Sequence, residues 1–279
     1  FMRAPHITDF NDIDIAFLGI PYDGAVEARS GARQGPRQIR DYSSMMRKIH
    51  HVSRINPYDL CRVGDVGDVP FKKIFDVKKS HKDIQAFIGK LHSASVIPIS
   101  AGGDHSITLP ILRAIGKDNP VGLIHVDAHT DCCDEEMNSK YSHGTPFRRA
   151  IEEGVLDPKR TIQIGIRGAA NSEECWEFGP KHGIRIIYIE EFSAMGVEKV
   201  IHEARKIVGD KRTYLSFDID GIDPAFAPGT GTPEIGGIQP MEAQRLIRGL
   251  RGLNIIGADL VEVSPPFDPS GNTALIAAT

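Results

Sequence analysis

Short apolar segments rich in β-branched residues alternate along the chain with amphipathic segments of helical spacing. Strand-length apolar runs without polar alternation are typical of strands buried on both faces of a parallel sheet. The predicted strands are residues 13–20, 60–66, 96–100, 121–126, 161–166, 184–189, 213–217 and 255–261. The predicted helices are residues 36–46, 78–92, 109–115, 146–153, 198–208 and 241–250. This alternation predicts an α/β fold whose mainly parallel sheet is covered by helices on both faces.

The chain shows no internal repeat, low-complexity stretch or flexible linker, so we expect a single domain over residues 1–279. Its last segment, residues 272–279, resembles the opening of a helix. We therefore expect the natural protein to continue with a terminal helix over the sheet.

Composition excludes several classes of protein. The 279 residues are 41% hydrophobic and 25% charged, which is ordinary for a globular protein. With 33 Lys and Arg against 37 Asp and Glu, the net charge is −4, which argues against a nucleic-acid partner. No apolar run has the length of a membrane span, and no secretory signal opens the chain. Four cysteines are too few for a disulfide framework, so we expect a reducing, cytoplasmic setting.

Polar side chains follow four of the predicted strands at the point where each strand ends. They lie in residues 101–106, in residues 127–131, in residues 218–224 and at Glu262. Because the carboxyl ends of parallel strands meet at one edge of a sheet, we expect these segments to lie close together there.

The residue types at these strand ends are those of a metal site. Asp127, His129 and Asp131 alternate along an extended strand end, which aims them at one point. Crowded carboxylates repel one another unless cations lie among them. Oxygen-rich ligands with two imidazoles suit manganese, with cobalt or nickel as alternatives, and two ions about 3.5–4 Å apart would share a nucleophilic water. The predicted ligands are His105, Asp127, His129, Asp131, Asp218 and Asp220.

A structural role for these acids is the competing interpretation, because an Asp-x-Asp pair after a strand is more often a turn or a helix cap. The joint occurrence of the three clusters favours the metal site. We interpret Asp104, Asp223 and Asp268 as caps or loop anchors.

The sequence resembles the ureohydrolase (arginase/agmatinase) family. The motifs that carry this resemblance are GGDHS at 102–106, DAHTD at 127–131, SHGTPF at 142–147, SFDIDGIDP at 216–224 and APGTGTPE at 227–234. The similarity extends from residues 31–36 to residues 262–266, and it is stronger to the agmatinase branch, which includes guanidinobutyrase and guanidinopropionase, than to arginase proper.

The resemblance implies a three-layer α/β/α fold around an eight-stranded, mainly parallel sheet. It also implies two manganese ions held by the six residues above, with Asp127 and Asp218 as bridging ligands, and a homotrimer or homohexamer. A hydroxide shared by the ions would attack the guanidinium carbon and release urea and an amine. Asp131 would orient this hydroxide and relay its proton.

We also predict that Glu262 and His143 act in catalysis and substrate binding. Glu262 offers two oxygens to the N–H groups of a guanidinium. In the family pattern, the histidine at the position of His143 exchanges protons with solvent or protonates the leaving amine.

The loop at residues 132–141 is expected to set the preference for the rest of the substrate. It carries Asp134, Glu135 and Glu136, and Cys133 stands where arginases have an amide that helps to hold the substrate carboxylate. This favours a cationic tail, as in agmatine, with Asp134 as a binding residue. The alternative is 4-guanidinobutyrate or 3-guanidinopropionate, whose negative tail Arg29 and Arg33 would hold. We interpret Cys132 and Cys133 as small buried side chains, with an oxidation-sensitive pair as the alternative.

Two other functions remain open from the sequence. A non-catalytic subunit with this fold would have lost ligands, whereas this chain keeps all six together with Glu262 and His143. A metal hydrolase of another C–N bond, such as an amide, would not need a carboxylate opposite a guanidinium. An agmatinase is therefore the first prediction, and the small guanidino substrate is its expected partner.

Overall fold

Eight parallel strands form one sheet in the structure, a computed structural model that describes residues 1–279. The strands are β1 Ile15–Ile20, β2 Val63–Asp68, β3 Ile97–Gly102, β4 Val121–Val126, β5 Leu156–Ile166, β6 Arg185–Tyr188, β7 Thr213–Asp218 and β8 Ile255–Val261. Their order across the sheet is β2-β1-β3-β8-β7-β4-β5-β6, and every neighbouring pair is parallel. All eight predicted strands are found; β4 and β8 have the predicted bounds, and the other six differ at one or both ends.

Nine α-helices connect and cover the strands. They are α1 Gly35–Ser43, α2 Val77–Ser93, α3 Thr108–Gly116, α4 Pro146–Glu152, α5 Glu174–His182, α6 Ile189–Met195, α7 Val197–Val208, α8 Pro240–Gly249 and α9 Asn272–Ala278. The six predicted helices are present. Helix α5 was missed because Gly179 and Pro180 interrupt its pattern, and α6 because it begins at Ile189, inside a predicted strand. No helix is both long and apolar enough to cross a membrane.

Apolar side chains pack on both faces of the sheet. On one face Ile84 and Ile88 of α2 join Ile111 of α3 in a cluster of 29 buried residues. On the other face Val200 of α7 and Leu246 of α8 belong to a cluster of 24 buried residues. The predicted three-layer α/β/α fold is therefore confirmed.

The four strands that end in polar residues are neighbours at the centre of the sheet. They are β3, β8, β7 and β4, which are adjacent in that order. Their carboxyl ends form one continuous edge, with two strands flanking them on each side. The fold thereby brings the four polar segments together, as the sequence predicted.

Candidate metal centre

His105 faces three carboxylates at the end of β3. Its Nδ1 lies 2.9 Å from Oδ2 of Asp131, 3.1 Å from Oδ2 of Asp127 and 3.2 Å from Oδ2 of Asp218. The ring is buried, yet this nitrogen makes no well-aligned hydrogen bond. A nitrogen lone pair surrounded by carboxylate oxygens requires a cation, so these atoms fit a metal ion.

His129 forms a second group of ligand atoms with Asp127 and Asp220. Its Nδ1 lies 3.1 Å from Oδ2 of Asp220 and 3.5 Å from Oδ1 of Asp127. Asp127 therefore presents one oxygen to His129 and the other to His105, which is the arrangement of a bridging carboxylate. Asp218 directs Oδ2 toward His105, while its Oδ1 accepts a hydrogen bond of 2.9 Å from the amide of Asp220.

The backbone, rather than strand alternation alone, brings Asp131 to the site. Strand β4 ends at Val126, and Asp131 has φ +51°, in the left-handed region. The chain therefore turns after the strand instead of remaining extended to Asp131, which corrects the geometry that we expected. Left-handed backbone at non-glycine residues concentrates at functional sites.

Burial and mutual repulsion act on the crowded acids. Burial, Asp220 and Asp127 raise the pKa of Asp218 well above its ordinary value. Burial and Asp127 also raise the pKa values of Asp131 and Asp220. Burial opposes ionisation of Asp127 as well, but neighbouring histidines, first His125, hold its pKa well below the ordinary range. Among these acids, Asp127 is therefore the one that its neighbours most favour in the ionised form.

His125 is a functional residue that the sequence analysis missed. Gln163 donates to its Nδ1 over 3.1 Å, so its Nε2 carries the proton and donates to Oδ2 of Asp127 over 2.7 Å. His125 thereby orients the bridging carboxylate. A histidine inside the otherwise apolar strand β4 was the available signal.

A buried network also orients His105. Its Nε2 donates to Oγ of Ser216 over 2.8 Å, and this hydroxyl donates to Asp259 over 2.6 Å. Asp259 accepts two further hydrogen bonds, from the hydroxyls of Thr108 and Tyr214. With Nε2 protonated, Nδ1 is left as the donor atom for a metal.

Glu262 and His143 contact each other beside the predicted ligand His105. Oε1 of Glu262 accepts hydrogen bonds of 2.9 Å from the amide of His105 and from Nδ1 of His143. Both side chains are buried, and Glu262 has φ +63°. On the other side of the ring, Nε2 of His143 hydrogen-bonds Glu27, which the sequence analysis did not single out.

Three other predicted binding residues do not face the cleft. The carboxylate of Asp134 accepts a hydrogen bond of 2.6 Å from Arg149. Arg33 pairs with Asp23, and the guanidinium of Arg29 lies 4.1 Å from the ring centre of Phe267. The expected contacts of Asp134, Arg29 and Arg33 with substrate are therefore not supported by this geometry, because each side chain is engaged elsewhere.

The acids that we interpreted as caps or loop anchors accept hydrogen bonds from the backbone. Asp104 accepts from the amide of Ser106, Asp223 from that of Gly237, and Asp268 from that of Thr273.

A cleft of about 560 Å³ opens above the predicted ligands. Its walls come from three segments, at residues 133 and 135–137, at residues 168–172 and 174–176, and at residues 232–234. No lysine or arginine lines it. A disulfide between Cys133 and Cys175 joins the first two walls. This bond corrects our interpretation of Cys133 as a free buried side chain and weakens the cysteine count as an argument for a reducing compartment. Cys132 is free and buried.

The central parallel sheet carries an acid- and histidine-lined cleft at its carboxyl edge, which is the arrangement of an enzyme with a metal site. The sequence profile described as the Arginase family matches residues 13–279. Guanidinopropionase from Pseudomonas aeruginosa is 56% identical over 280 residues, with 100% of this chain and 88% of that protein covered. Guanidinobutyrase from the same organism is 46% identical, with 99% and 88% covered.

A solved structure of similar fold is the proclavaminate amidino hydrolase from Streptomyces clavuligerus. It is 37% identical, has a TM-score of 0.96, and is matched over 92% of its length by all of this chain. The chain belongs to the arginase family. The predicted family and its hydrolysis of guanidino C–N bonds are thereby confirmed.

Proposed function

We propose that this protein uses two manganese ions to hydrolyse the guanidinium group of a small guanidino compound to urea and an amine. The main support for this proposal is the arrangement of Asp127, which presents one carboxylate oxygen to His105 and the other to His129. The first ion would be held by His105, Asp131 and the shared carboxylate, and the second by His129, Asp220 and the same carboxylate. Asp218 completes the set.

The donor set supports manganese over a structural zinc, because four carboxylates and two imidazoles are hard ligands without a thiolate. Cobalt and nickel remain alternatives that metal replacement distinguishes. When bound, the ion pair supplies a deprotonated water at neutral pH. The residues of the chain then have to bind and orient the substrate.

Glu262 is the proposed partner of the guanidinium. Its Oε1 is occupied by His105 and His143, whereas Oε2 accepts no hydrogen bond within the chain. Oε2 can therefore accept from a guanidinium N–H in a charge-assisted hydrogen bond. Asp131 would accept the proton of the attacking water, and His143, held by Glu262, would donate a proton to the leaving amine.

The tail of the substrate is proposed to be a carboxylate, as in 3-guanidinopropionate or 4-guanidinobutyrate. The names of the 56% and 46% identical relatives support this tail. The acidic loop at residues 132–141 disfavours a carboxylate tail less than the sequence suggested, because Asp134 is bound by Arg149 and Glu136 by Ser142. At the rim, the side-chain amide of Asn171 and the indole of Trp176 have no hydrogen-bond partner in the chain and would serve as neutral donors.

Agmatine, which the sequence analysis placed first, remains the second candidate. The observation that favours it is the lining of the cleft, where Glu27, Glu135 and Glu234 occur without any lysine or arginine. Such a surface attracts a cationic tail.

One assay separates the candidates. The protein is purified with manganese, and urea release is measured in parallel from 3-guanidinopropionate, 4-guanidinobutyrate, agmatine and arginine. The highest kcat/KM with a guanidino acid is the expected result, and preference for agmatine restores the second candidate. Absence of urea from all four, with two manganese ions bound, contradicts the proposed function.

The assembly and location of the protein are also proposals. We propose a homotrimer or homohexamer, on the basis of family resemblance, and we retain the cytoplasm as the proposed location. Native mass spectrometry of the purified protein measures the first, and cell fractionation the second.

A further inference from the structure

Glu27 lies in the segment after β1 and lines the cleft next to His143. The side chain of Glu27 is 34% exposed, whereas that of His143 is 9% exposed. Nε2 of His143 donates to Oε2 of Glu27. Both residues line the cleft, and the partly exposed carboxylate of Glu27 contacts the more buried ring of His143.

Backbone hydrogen bonds hold the segments of Glu27 and His143 next to each other. The amide of His143 donates to the carbonyl oxygen of Ala25 over 3.1 Å, and the amide of Ala25 donates to the buried carboxylate of Asp104 over 2.9 Å. The segment that carries Glu27 is therefore tied to the loop that carries His143. The contact between the side chains of Glu27 and His143 therefore depends on ordered backbone contacts and not on a freely mobile surface side chain.

Both ring nitrogens of His143 face carboxylates. Nδ1 is 2.9 Å from Oε1 of Glu262, and Nε2 is bound to Glu27. A neutral imidazole has only one N–H, so it cannot donate to both acids at once. The arrangement of Glu27, His143 and Glu262 therefore selects the protonated ring.

We propose that Glu27 is a positioning residue for the hydrolysis described above, which holds the ring of His143 in its charged form with Nε2 toward the cleft. This role rests on the proposed function, because His143 matters only where a leaving amine needs a proton. Glu27 acts through His143 and is not required to touch the substrate. Loss of its charge would leave His143 with one carboxylate partner and a smaller charged fraction.

The other charged groups around His143 are accounted for. Glu136 lies close to Glu27 and His143, but its carboxylate accepts hydrogen bonds from Ser142 and from the amide of Gly144. Asp104 lies behind Glu262 and is protonated more readily than an ordinary acid, since burial and Glu262 raise its pKa to about 7. Burial opposes the charge on His143, but Glu262 and Glu27 raise its pKa well above the ordinary value.

The test compares Glu27→Gln and Glu27→Asp with the wild type. Glutamine keeps an acceptor of the same size without the charge, and aspartate keeps the charge on a shorter side chain. The control is Glu153→Gln, because Glu153 pairs with Arg113 away from the cleft and is equally exposed, at 35%. In the manganese-loaded enzyme, Glu27→Gln is expected to lower kcat about 10-fold or more. KM and manganese content should stay within about 2-fold of wild type, and the fall in kcat at high pH should begin about one pH unit lower.

A second readout does not depend on activity. Histidines labelled with ¹³C in the ring are titrated by NMR, with His143→Asn used to assign the His143 signal. The His143 signal should titrate at lower pH in Glu27→Gln, partly recover in Glu27→Asp, and remain unchanged in Glu153→Gln. If the wild type releases no urea, the proposed function fails, yet this titration still shows whether Glu27 sets the charge of the ring.

Three outcomes overturn the role of Glu27. The first is a wild-type kcat, pH profile and His143 titration in Glu27→Gln. The second is a change confined to KM, which would make Glu27 a substrate contact. The third is loss of a manganese ion from the variant, which would make Glu27 a metal ligand.

Discussion

The metal centre and the rim of the cleft are built in different ways. The six predicted ligands come at the ends of three strands, β3, β7 and β4, and Glu262 follows β8, which lies between β3 and β7. Five of the six ligands are buried, and several are oriented by a further hydrogen bond, as Ser216 orients His105 and His125 orients Asp127. The rim consists of loops, where Met137 is 79% exposed, and its two main walls are joined by the disulfide between Cys133 and Cys175. The sheet therefore fixes the reacting centre, while the loops control what lies beside it. Changes in the two regions should have separable effects.

Asp127→Asn should have the largest effect, because it removes the only carboxylate shared by both groups of ligand atoms. We expect manganese content to fall below one ion per subunit and urea release to drop by about 10³-fold or more. Elemental analysis and the urea assay measure these effects, and circular dichroism should show a retained fold. Two bound ions and substantial activity would contradict the proposed bridge.

Cys133→Ser should affect the rim instead of the centre. The bond closes a separation of 42 residues, and its loss is expected to lower the free energy of unfolding by about 2–4 kcal/mol. KM should rise because the two walls are no longer tied, whereas manganese content should not change. Denaturant unfolding and steady-state kinetics test this, with Cys61→Ser as the control. A fall in manganese content would show that rim and centre are not separable.

Ser216→Ala tests the support of the centre without touching a predicted ligand. It removes the hydroxyl that lies between His105 and Asp259. We expect manganese affinity to fall by about 10–100-fold, since partners of ligating histidines have effects of this size. Activity at saturating manganese should recover most of the loss, with KM unchanged. Competition with a chelating indicator measures the affinity, and an unchanged value would remove Ser216 from the support of His105.

The smallest effect is expected at His81, outside both regions. Burial lowers its pKa from 6.5 to about 3, because the ring of His81, a residue of α2, is buried in the core next to Ser106. The unfolded chain therefore binds a proton that the native state does not bind, and stability decreases as pH falls from about 6.5 toward 3. From pH 7.5 to 5.5 this amounts to about 1.4 kcal/mol. His81→Asn should reduce that slope in denaturant unfolding, and an equal slope would show that other groups cause it.

The sequence was sufficient to predict that the six proposed ligands lie close together, because each of them comes at the end of an apolar strand. Parallel strands with adjacent carboxyl ends bring such residues together whatever the details of the loops. Glu262 was singled out in the same way, at the end of β8, whereas His143 was singled out by the family resemblance; their mutual hydrogen bond was not expected.

The features of the site that the sequence analysis did not predict depend on contacts between distant parts of the chain. Asp134 turns away from the cleft because Arg149 of α4 binds it, and nothing in its own loop indicates this. The pairing of Cys133 with Cys175 requires α5, which the sequence pattern did not predict. His125 and Asp259 are single polar residues inside apolar strands, and their partners Gln163, Tyr214 and Ser216 lie on neighbouring strands.

The bond between Cys133 and Cys175 has a consequence for how new activities arise on this scaffold. It encloses the helix α4 and the strand β5, from the loop after β4 to the first turn of α5. If only the segment with Cys133 or only the segment with Cys175 were replaced by that of another protein, the remaining cysteine would therefore lose its disulfide partner. Diversification of this enzyme, in nature or in the laboratory, is expected to exchange the two segments as a pair.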